Sequence, residues 1–147
     1  MAMAFTYQVL AKSARNLVLQ VNGVDAATVT GGTQDGSQAG IFNAAGVSPI
    51  PTAHYKVTRL LWSAFNCVAR LQWHASANVD LAILTNTFGD IDFDLQTAKS
   101  IAGINNNAGA GVTGDIDIFT TPLNTLTAAS GGVCAAISLT LFGTLGT

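Results

Sequence analysis

All acidic residues of this chain are aspartates, and five of the eight fall in two short runs in which acids alternate with other residues. The five are Asp90, Asp92, Asp94, Asp115 and Asp117. The first run does not match an EF-hand calcium loop, because Leu95 and Ile101 occupy the positions that require glycine and glutamate. The two runs would form one cation site only if their strands were adjacent. We favour the alternative, in which each run is the polar face of a strand.

Histidine and cysteine chemistry has no matching pattern either. His54 and His74 form neither H-x-H nor H-E-x-x-H, so they do not predict a catalytic metal. Cys67 and Cys134 lie in separate apolar runs outside any C-x-x-C motif, and we predict two buried free thiols. Residues 109–114 spell G-x-G-x-x-G, but a strand-like run follows where a phosphate site needs a helix N-terminus. We therefore predict no catalytic residue, no metal, no cofactor and no enzymatic activity.

The two tryptophans are the residues that suit stacking on sugars. Trp73 shares one face of an alternating run with Leu71, which predicts that it belongs to the core. Trp62 follows Leu60 and Leu61, so the pattern does not fix its side. We expect both rings to be buried, whereas an exposed Trp62 would favour a carbohydrate-binding module.

The composition limits the kind of protein this can be. Hydrophobic residues make up 49% and charged residues only 10%, against roughly 25% charged in ordinary soluble domains. A net charge of −2 offers no basic patch for nucleic acid, and the longest apolar run, residues 133–142, is too short to cross a bilayer. Two explanations fit this low charge: other protein covers much of the surface, and the surface is rich in neutral polar side chains. We expect both to contribute.

Short alternating segments separated by turn residues predict an all-β chain. We expect a single domain over residues 1–147, folded as an antiparallel β-sandwich of about seven to nine strands, jelly-roll-like, with long Gly/Asn-rich loops. Residues 1–54 would supply N-terminal strands and an extended arm at 31–53, and residues 55–147 the main sandwich. The predicted strands are 17–21, 26–30, 55–64, 67–75, 79–85, 90–94, 115–120 and 133–142.

Three local features complete the predicted fold. Strand 17–21 should end in a turn at Asn22-Gly23, strands 55–64 and 67–75 should form a hairpin, and residues 95–101 should form a short helix or an irregular crossing. Alternation then predicts the residues that point between the sheets. They are Leu71, Trp73, Leu81, Ile83, Ile91, Phe93, Ile116, Ile118, Ile137, Leu139 and Leu141.

Three strings of residues carry a resemblance to a known family. They are Tyr55-Lys-Val-Thr-Arg-Leu-Leu-Trp-Ser63, Val68-Ala-Arg-Leu-Gln-Trp-His-Ala75 and Asn106-Asn-Ala-Gly-Ala-Gly-Val-Thr-Gly-Asp115. Together with the closing apolar strand, they resemble small structural proteins of tailed bacteriophage virions, the capsid decoration or cement type. The uncharged ending and His74, where the family often has Asp, depart from that pattern.

The resemblance implies a function in the virion. The chain would bind the outer face of the major capsid shell and stabilise it, as a homodimer or homotrimer, after assembly in the bacterial host cytoplasm. Its partners would be the major capsid protein and itself, with no nucleic acid and no membrane. Residues 31–53 and 105–114 are the predicted contact segments. The alternatives are another virion component, of the tail, neck or fibre base, and a carbohydrate-binding or adhesin module.

Overall fold

A computed structural model describes residues 3–13, 16–41, 55–92, 104–105, 107–127 and 132–145, and these residues contain strands, turns and no helix. The strands are β1 Ala4–Lys12, β2 Asn16–Asp25, β3 Gly36–Gln38, β4 Tyr55–Phe65, β5 Cys67–Trp73, β6 Val79–Leu84, β7 Phe88–Asp92, β8 Ile104–Asn105, β9 Ile116–Pro122 and β10 Ala135–Leu145. The predicted strand 26–30 is reduced to one isolated bridge, Val29 to Leu126. The short helix or irregular crossing predicted at 95–101 lies outside the described residues.

The strands form two antiparallel sheets, which confirms the predicted all-β sandwich. One sheet has the order β1-β2-β10-β4-β7, with β8 also on β4. The other has the order β3-β9-β5-β6. We call them the six-stranded and the four-stranded sheet. β7 and β8 pair in succession along the same strand, β4, so they form one interrupted edge.

Buried apolar side chains from both sheets form one core. From the six-stranded sheet come Leu17, Leu19, Val21, Leu60, Ile137, Leu139 and Leu141, and from the four-stranded sheet Ala69, Leu71, Trp73, Leu81, Leu84, Ile116 and Ile118. Of the eleven residues predicted to point inward, eight are therefore buried.

The prediction of an inward-facing side chain is wrong for two residues, Ile83 and Ile91. Ile83 is 51% exposed because a register shift between Leu71 and Gln72 in the β5–β6 pair turns it outward, opposite Arg70. Ile91 is 41% exposed because β7 is an edge strand that β4 covers on one side. Phe93 lies outside the described residues.

The predicted hairpin between β4 and β5 is also wrong. The two strands belong to different sheets and a single residue, Asn66, joins them. Asn66 has φ +52°, the left-handed region that asparagine tolerates better than most residues. The chain therefore turns a corner at Asn66 and passes directly from an interior strand of one sheet to an interior strand of the other.

The predicted turn at Asn22-Gly23 lies in the interior of β2, which runs on to Asp25. The glycine is needed for packing: a Cβ at Gly23 would lie 2.7 Å from Met3 Sδ and 2.9 Å from the Phe5 ring. Phe5 is the register partner of Gly23 on β1, a strand that the sequence analysis did not predict. The missing side chain of Gly23 thus makes room for β1 to cover β2.

The arm predicted at residues 31–53 is, as far as Ile41, a part of the four-stranded sheet. β3 pairs with β9, and Ile41 is buried and donates its backbone N–H to Ile116 O at 2.6 Å. Residues 42–54 of the prediction lie outside the described residues. Shortening residues 31–53 would therefore remove β3 and the buried Ile41 from the four-stranded sheet.

Candidate functional site

The two aspartate runs are placed in different sheets. Asp90 and Asp92 lie on β7 of the six-stranded sheet, whereas Asp117 lies on β9 of the four-stranded sheet. Asp94 lies outside the described residues. The strands are not neighbours, so the condition for a shared cation site is not met. In the part of the chain that the structure describes, no three His, Cys or Asp side chains are grouped so as to hold a metal ion.

Asp90 instead forms a two-bonded ion pair with Arg59 of β4. Arg59 Nε donates to Asp90 Oδ1 at 2.9 Å and Nη2 to Oδ2 at 2.7 Å. These bonds lower the pKa of Asp90 below its usual value. The guanidinium also lies 5.6 Å from the centre of the Phe142 ring, within cation–π distance. The pair fastens the edge strand β7 to β4 and leaves no carboxylate oxygen of Asp90 without a partner.

A second ion pair lies on the outer face of the four-stranded sheet. Arg70 Nε and Nη2 donate to the two carboxylate oxygens of Asp80 at 2.6 and 2.9 Å. Gln72 Nε2 adds a bond to Asp80 Oδ1 at 2.8 Å, and these donors, Arg70 first, lower the pKa of Asp80. The pair joins β5 to β6 across the sheet, as cross-strand charge pairs do.

His74 and Asp117 form the arrangement that most resembles catalytic chemistry. His74 Nδ1 lies 2.8 Å from Oδ2 of the buried Asp117, and this hydrogen bond raises the pKa of His74. A histidine oriented by an aspartate forms two of the three members of a catalytic triad. Here Asp117 also accepts from Asn78 Nδ2 at 3.0 Å and from the Gly40 backbone N–H at 2.9 Å. Its bonds thus tie the segment after β3 and the β5–β6 turn to β9.

Neither cysteine is placed as a nucleophile. Cys67 and Cys134 are buried free thiols, which confirms the prediction. The Sγ of Cys67 donates to Ala136 O at 3.3 Å, and burial raises the pKa of this thiol to about 11. A reactive cysteine needs a lowered pKa and access to solvent. Cys67 therefore acts as a small core residue.

A carboxyl pair that the sequence analysis missed lies at one end of the sandwich. Asp25, at the end of β2, is buried, and its carboxyl group lies close to that of Asp35. The Oδ2 atom of each residue is buried, and neither has a hydrogen-bond partner among the described residues. Burial and the nearby carboxyl group of Asp25 raise the pKa of Asp35 to about 6. A shared proton is what allows two carboxyl groups to lie together here.

We expect Asp35→Asn to remove a pH dependence of stability. The pKa of Asp35 is about 6 in the folded state and near 3.8 in the unfolded chain, so the folded state holds the proton more tightly and wild-type stability falls as pH rises from about 4 to 6. The amide keeps a donor toward Asp25 and has no proton to lose. Above pH 6 the variant should gain about 1 kcal/mol on the wild type, a value reduced for partial exposure of the carboxyl.

The measurement is urea unfolding of both proteins from pH 4 to pH 7.5. The difference in unfolding free energy between variant and wild type should grow across the window of the Asp35 titration and then level off. A difference that stays constant over the whole range would show that Asp25 and Asp35 do not share a proton.

Trp62 lies against the core and over a glycine of the neighbouring strand. Its ring contacts the position that a Cβ of Gly89 would occupy, and Gly89 is its register partner on β7. Its Nε1 donates to Thr85 O at 3.3 Å. The ring is partly buried and packs against the core cluster. The ring also lines a groove beside Phe88, so it is neither fully buried, as predicted, nor fully exposed.

The outer face of the six-stranded sheet carries three rows of uncharged side chains. Strand register and alternating burial place them side by side. The rows are Ala4, Val24, Ala136 and Phe65; then Thr6, Asn22, Ser138, Ser63 and Phe88; then Gln8, Gln20, Thr140 and Leu61. The charged Arg59, Asp90 and Asp92 stand together at one corner of this sheet. We call the three rows the neutral face.

Several large apolar side chains of the neutral face are exposed. Phe88 is 81% exposed, Phe65 52% and Val24 44%. Two shallow grooves run between them, one of about 440 Å³ beside Phe88 and one of about 240 Å³ beside Phe65. Exposed apolar groups that form a contiguous patch mark a surface for contact with another molecule.

The opposite outer face, on the four-stranded sheet, differs in charge. It carries the Arg70–Asp80 pair and the partly exposed His74, with a groove of about 360 Å³ beside Arg70. Burying this face would cost the desolvation of those charges. The outer face of the six-stranded sheet also carries one such pair, Arg59–Asp90, but at its corner beyond the three rows, so the neutral face itself can be covered at lower cost.

Of the predicted contact loop at 105–114, Asn105 ends β8, residue 106 lies outside the described residues, and residues 107–114 are mostly exposed. Gly111 and Gly114 have φ of 79° and 83°, so the loop depends on left-handed glycines. Backbone bonds from Ser76 N to Ala110 O at 3.0 Å and from Thr113 N to His74 O at 3.3 Å hold it to the end of β5. The loop is thus fixed in place by the residues that follow β5.

Comparison with family models, with curated proteins and with solved structures finds no match to this chain. Within the described ranges, no helix has the length and apolar character needed to span a bilayer.

Proposed function

We propose that this chain is a structural protein of a tailed bacteriophage virion, a capsid decoration protein that binds the outer face of the major capsid shell and stabilises it. The neutral face is the surface that makes the contact. The protein performs no catalysis and holds no cofactor; its contribution is buried area, repeated over many copies on the particle.

The observation that carries the proposal is the contrast between the two outer faces. The neutral face joins exposed Phe88, Phe65 and Val24 to uncharged Ser, Thr, Asn and Gln side chains. Such a face can be buried without leaving a charge unpaired, and its hydroxyl and amide groups can hydrogen-bond to a partner. The composition agrees, since a chain with 10% charged residues carries little of the charge that keeps monomers dispersed.

The strand order adds support. The pairs β2·β10, β3·β9, β4·β7 and β5·β6 are nested, so the chain resembles one long hairpin that folds over into two sheets. We infer a jelly roll from this nesting, a fold found in viral capsid and lectin domains. A fold shared by both classes does not select a function by itself. The resemblance at residues 55–63, 68–75 and 106–115 favours the virion, and it covers β4 and β5, which are interior strands of the two sheets.

Two other functions compete with this one. A tail, neck or fibre-base protein would use the same face, and it differs in copy number: about a dozen or fewer per particle against hundreds for decoration. A carbohydrate-binding module lacks support at Trp62, whose ring packs over Gly89 and against the core.

Charged substitutions on the neutral face test the proposal. We expect Phe65→Lys and Phe88→Lys each to weaken attachment to undecorated shells by at least about tenfold, because each removes apolar contact area and buries a charge at the interface. The assay is co-sedimentation of purified protein with shells over a concentration series.

Ile83→Lys is the matched control. Ile83 is as exposed as Phe65 but lies on the outer face of the four-stranded sheet, so this variant should bind like the wild type. All three variants should keep the wild-type far-ultraviolet spectrum. If the Phe65 and Phe88 variants sediment with shells as well as the Ile83 variant does, the neutral face is not the contact.

A further inference from the structure

The edge strand β1 has one side without a strand partner. It is the outermost strand of the six-stranded sheet, and among the described residues it pairs with β2 alone. Phe5 and Tyr7 pack against the core, whereas Ala4, Thr6 and Gln8 are exposed on the neutral face. The backbone N–H and C=O groups along the outer side of β1 are therefore open to hydrogen bonding with another strand.

β1 lacks most of the features that protect an edge strand from pairing. Proteins block such edges with lysine, proline, bulges or very short strands. β1 has nine residues and no proline, and its only charge is Lys12 at the last position. A register shift between Val9 and Ala11 interrupts its far end. The stretch from Ala4 to Val9 is regular, uncharged and unprotected.

We infer that the outer side of β1 pairs antiparallel with β1 of a second copy of this chain, giving a homodimer with a two-fold axis through the Ala4–Val9 stretch. The uncharged Ala4–Val9 stretch can lie against an identical stretch without like-charge repulsion, which suits a second copy, and Lys12 sets the direction. Antiparallel pairing places the two Lys12 side chains at opposite ends, roughly 35 Å apart and well beyond the screening length of physiological salt. Parallel pairing would instead place them side by side.

The symmetry has a consequence for the neutral face. Directly opposite residues of an antiparallel pair point to the same side of the sheet. A two-fold axis perpendicular to the sheet therefore joins the neutral faces of the two copies into one surface, with Thr6 and Gln8 of both copies at its centre. The inference concerns the homo-oligomer within the proposed function and does not depend on the shell.

The test compares two glutamines that are register partners. Gln8 lies on the free edge strand, and Gln20 lies opposite it on β2, on the same face but inside the sheet. In sedimentation velocity of the purified full chain, the wild type should dimerise. Gln8→Lys should weaken the dimer by about tenfold or more, because two like charges meet near the axis. Gln20→Lys should leave the dimer unchanged.

Cysteine crosslinking gives an independent readout that does not require a destabilised interface. With Thr6 and Gln8 on either side of the axis, Thr6 of one copy lies opposite Gln8 of the other. A mixture of Thr6→Cys and Gln8→Cys chains should therefore form a disulfide-linked dimer on mild oxidation, while a mixture of Thr6→Cys and Gln20→Cys chains should not. The native Cys67 and Cys134 are buried free thiols, so the oxidised wild type is the control for disulfides that do not involve the introduced cysteines. A wild type that is monomeric or trimeric, equal dimerisation of the two lysine variants, or the absence of the crosslink between Thr6→Cys and Gln8→Cys chains would each overturn the inference. A dimer that passes these tests but never binds shells would count against the decoration function alone.

Discussion

Trp73→Ala should destabilise the fold by about 3–5 kcal/mol, the range for removing a fully buried large aromatic side chain. Trp73 is the largest fully buried side chain and lies on β5, a central strand of the four-stranded sheet. Its neighbours in the core come from both sheets, so the cavity left by alanine would lie where the two sheets pack together. Urea unfolding followed by far-ultraviolet circular dichroism measures the loss.

Trp73→Phe is the matched control. The Nε1 atom of Trp73 has no hydrogen-bond partner among the described residues, so phenylalanine removes volume and breaks no hydrogen bond. Its cost should be clearly smaller than that of alanine, about 1–2 kcal/mol. A Trp73→Ala protein that unfolds at the same urea concentration as the wild type would contradict the placement of Trp73 between the sheets.

Asn66→Ala should cost about 3–4 kcal/mol, although it removes only a small polar group. Asn66 Nδ2 donates to Asn124 O at 3.0 Å and to Cys134 O at 2.9 Å, and its Oδ1 accepts from Asn124 N at 2.9 Å. Each lost bond contributes about 1 kcal/mol, and alanine at φ +52° adds about 1 kcal/mol of strain. The substitution therefore weakens the corner that joins the two sheets.

Asn66→Gly separates the two contributions. Glycine adopts the left-handed conformation without strain but makes none of the three side-chain bonds, so it should cost about 1 kcal/mol less than alanine. Equal unfolding free energies for the alanine and glycine variants would show that strain has no part. A loss below about 1 kcal/mol in both would show that the three bonds do not hold the corner.

The strands whose apolar residues alternate cleanly were predictable. In β5 the buried residues Cys67, Ala69, Leu71 and Trp73 alternate with Val68, Arg70 and Gln72, as the sequence indicates. One face of this strand is buried and the other is wet, which is the condition under which a period of two becomes visible. The pairing partner of β5 was not predictable, because Asn66 looks like a hairpin turn residue and acts as a corner.

Gly23 led to the wrong prediction that β2 ends at residue 21, and β1, which packs over this glycine, was not predicted. Asn22-Gly23 is a strong turn signal in a sequence, yet Gly23 is buried inside β2 under Phe5 of β1. Only the fold shows that the absence of a side chain serves packing here. Had β2 been continued through Gly23, the inward positions Leu17, Leu19 and Val21 would have led on to Asp25 and predicted a buried acid.

Neither the carboxyl pair nor the neutral face could be predicted from the sequence, because each depends on how separate strands come together. Asp25 and Asp35 meet because the chain crosses from the six-stranded to the four-stranded sheet between them. The neutral face gathers single residues from β1, β2, β10, β4 and β7, and their order in space differs from their order in the chain. Low overall charge indicated that some surface is covered, but only the strand register shows which one.

The most direct test of the virion function is the position of this protein in an electron-microscopy map of the particle that contains it. The account predicts hundreds of copies on the outside of the shell, with the neutral face, including Phe65 and Phe88, against the major capsid protein. A dozen or fewer copies at the neck, tail or fibre base would contradict the decoration function. A map in which the neutral face points to solvent while the Arg70–Asp80 face contacts the shell would contradict the assignment of the contact surface.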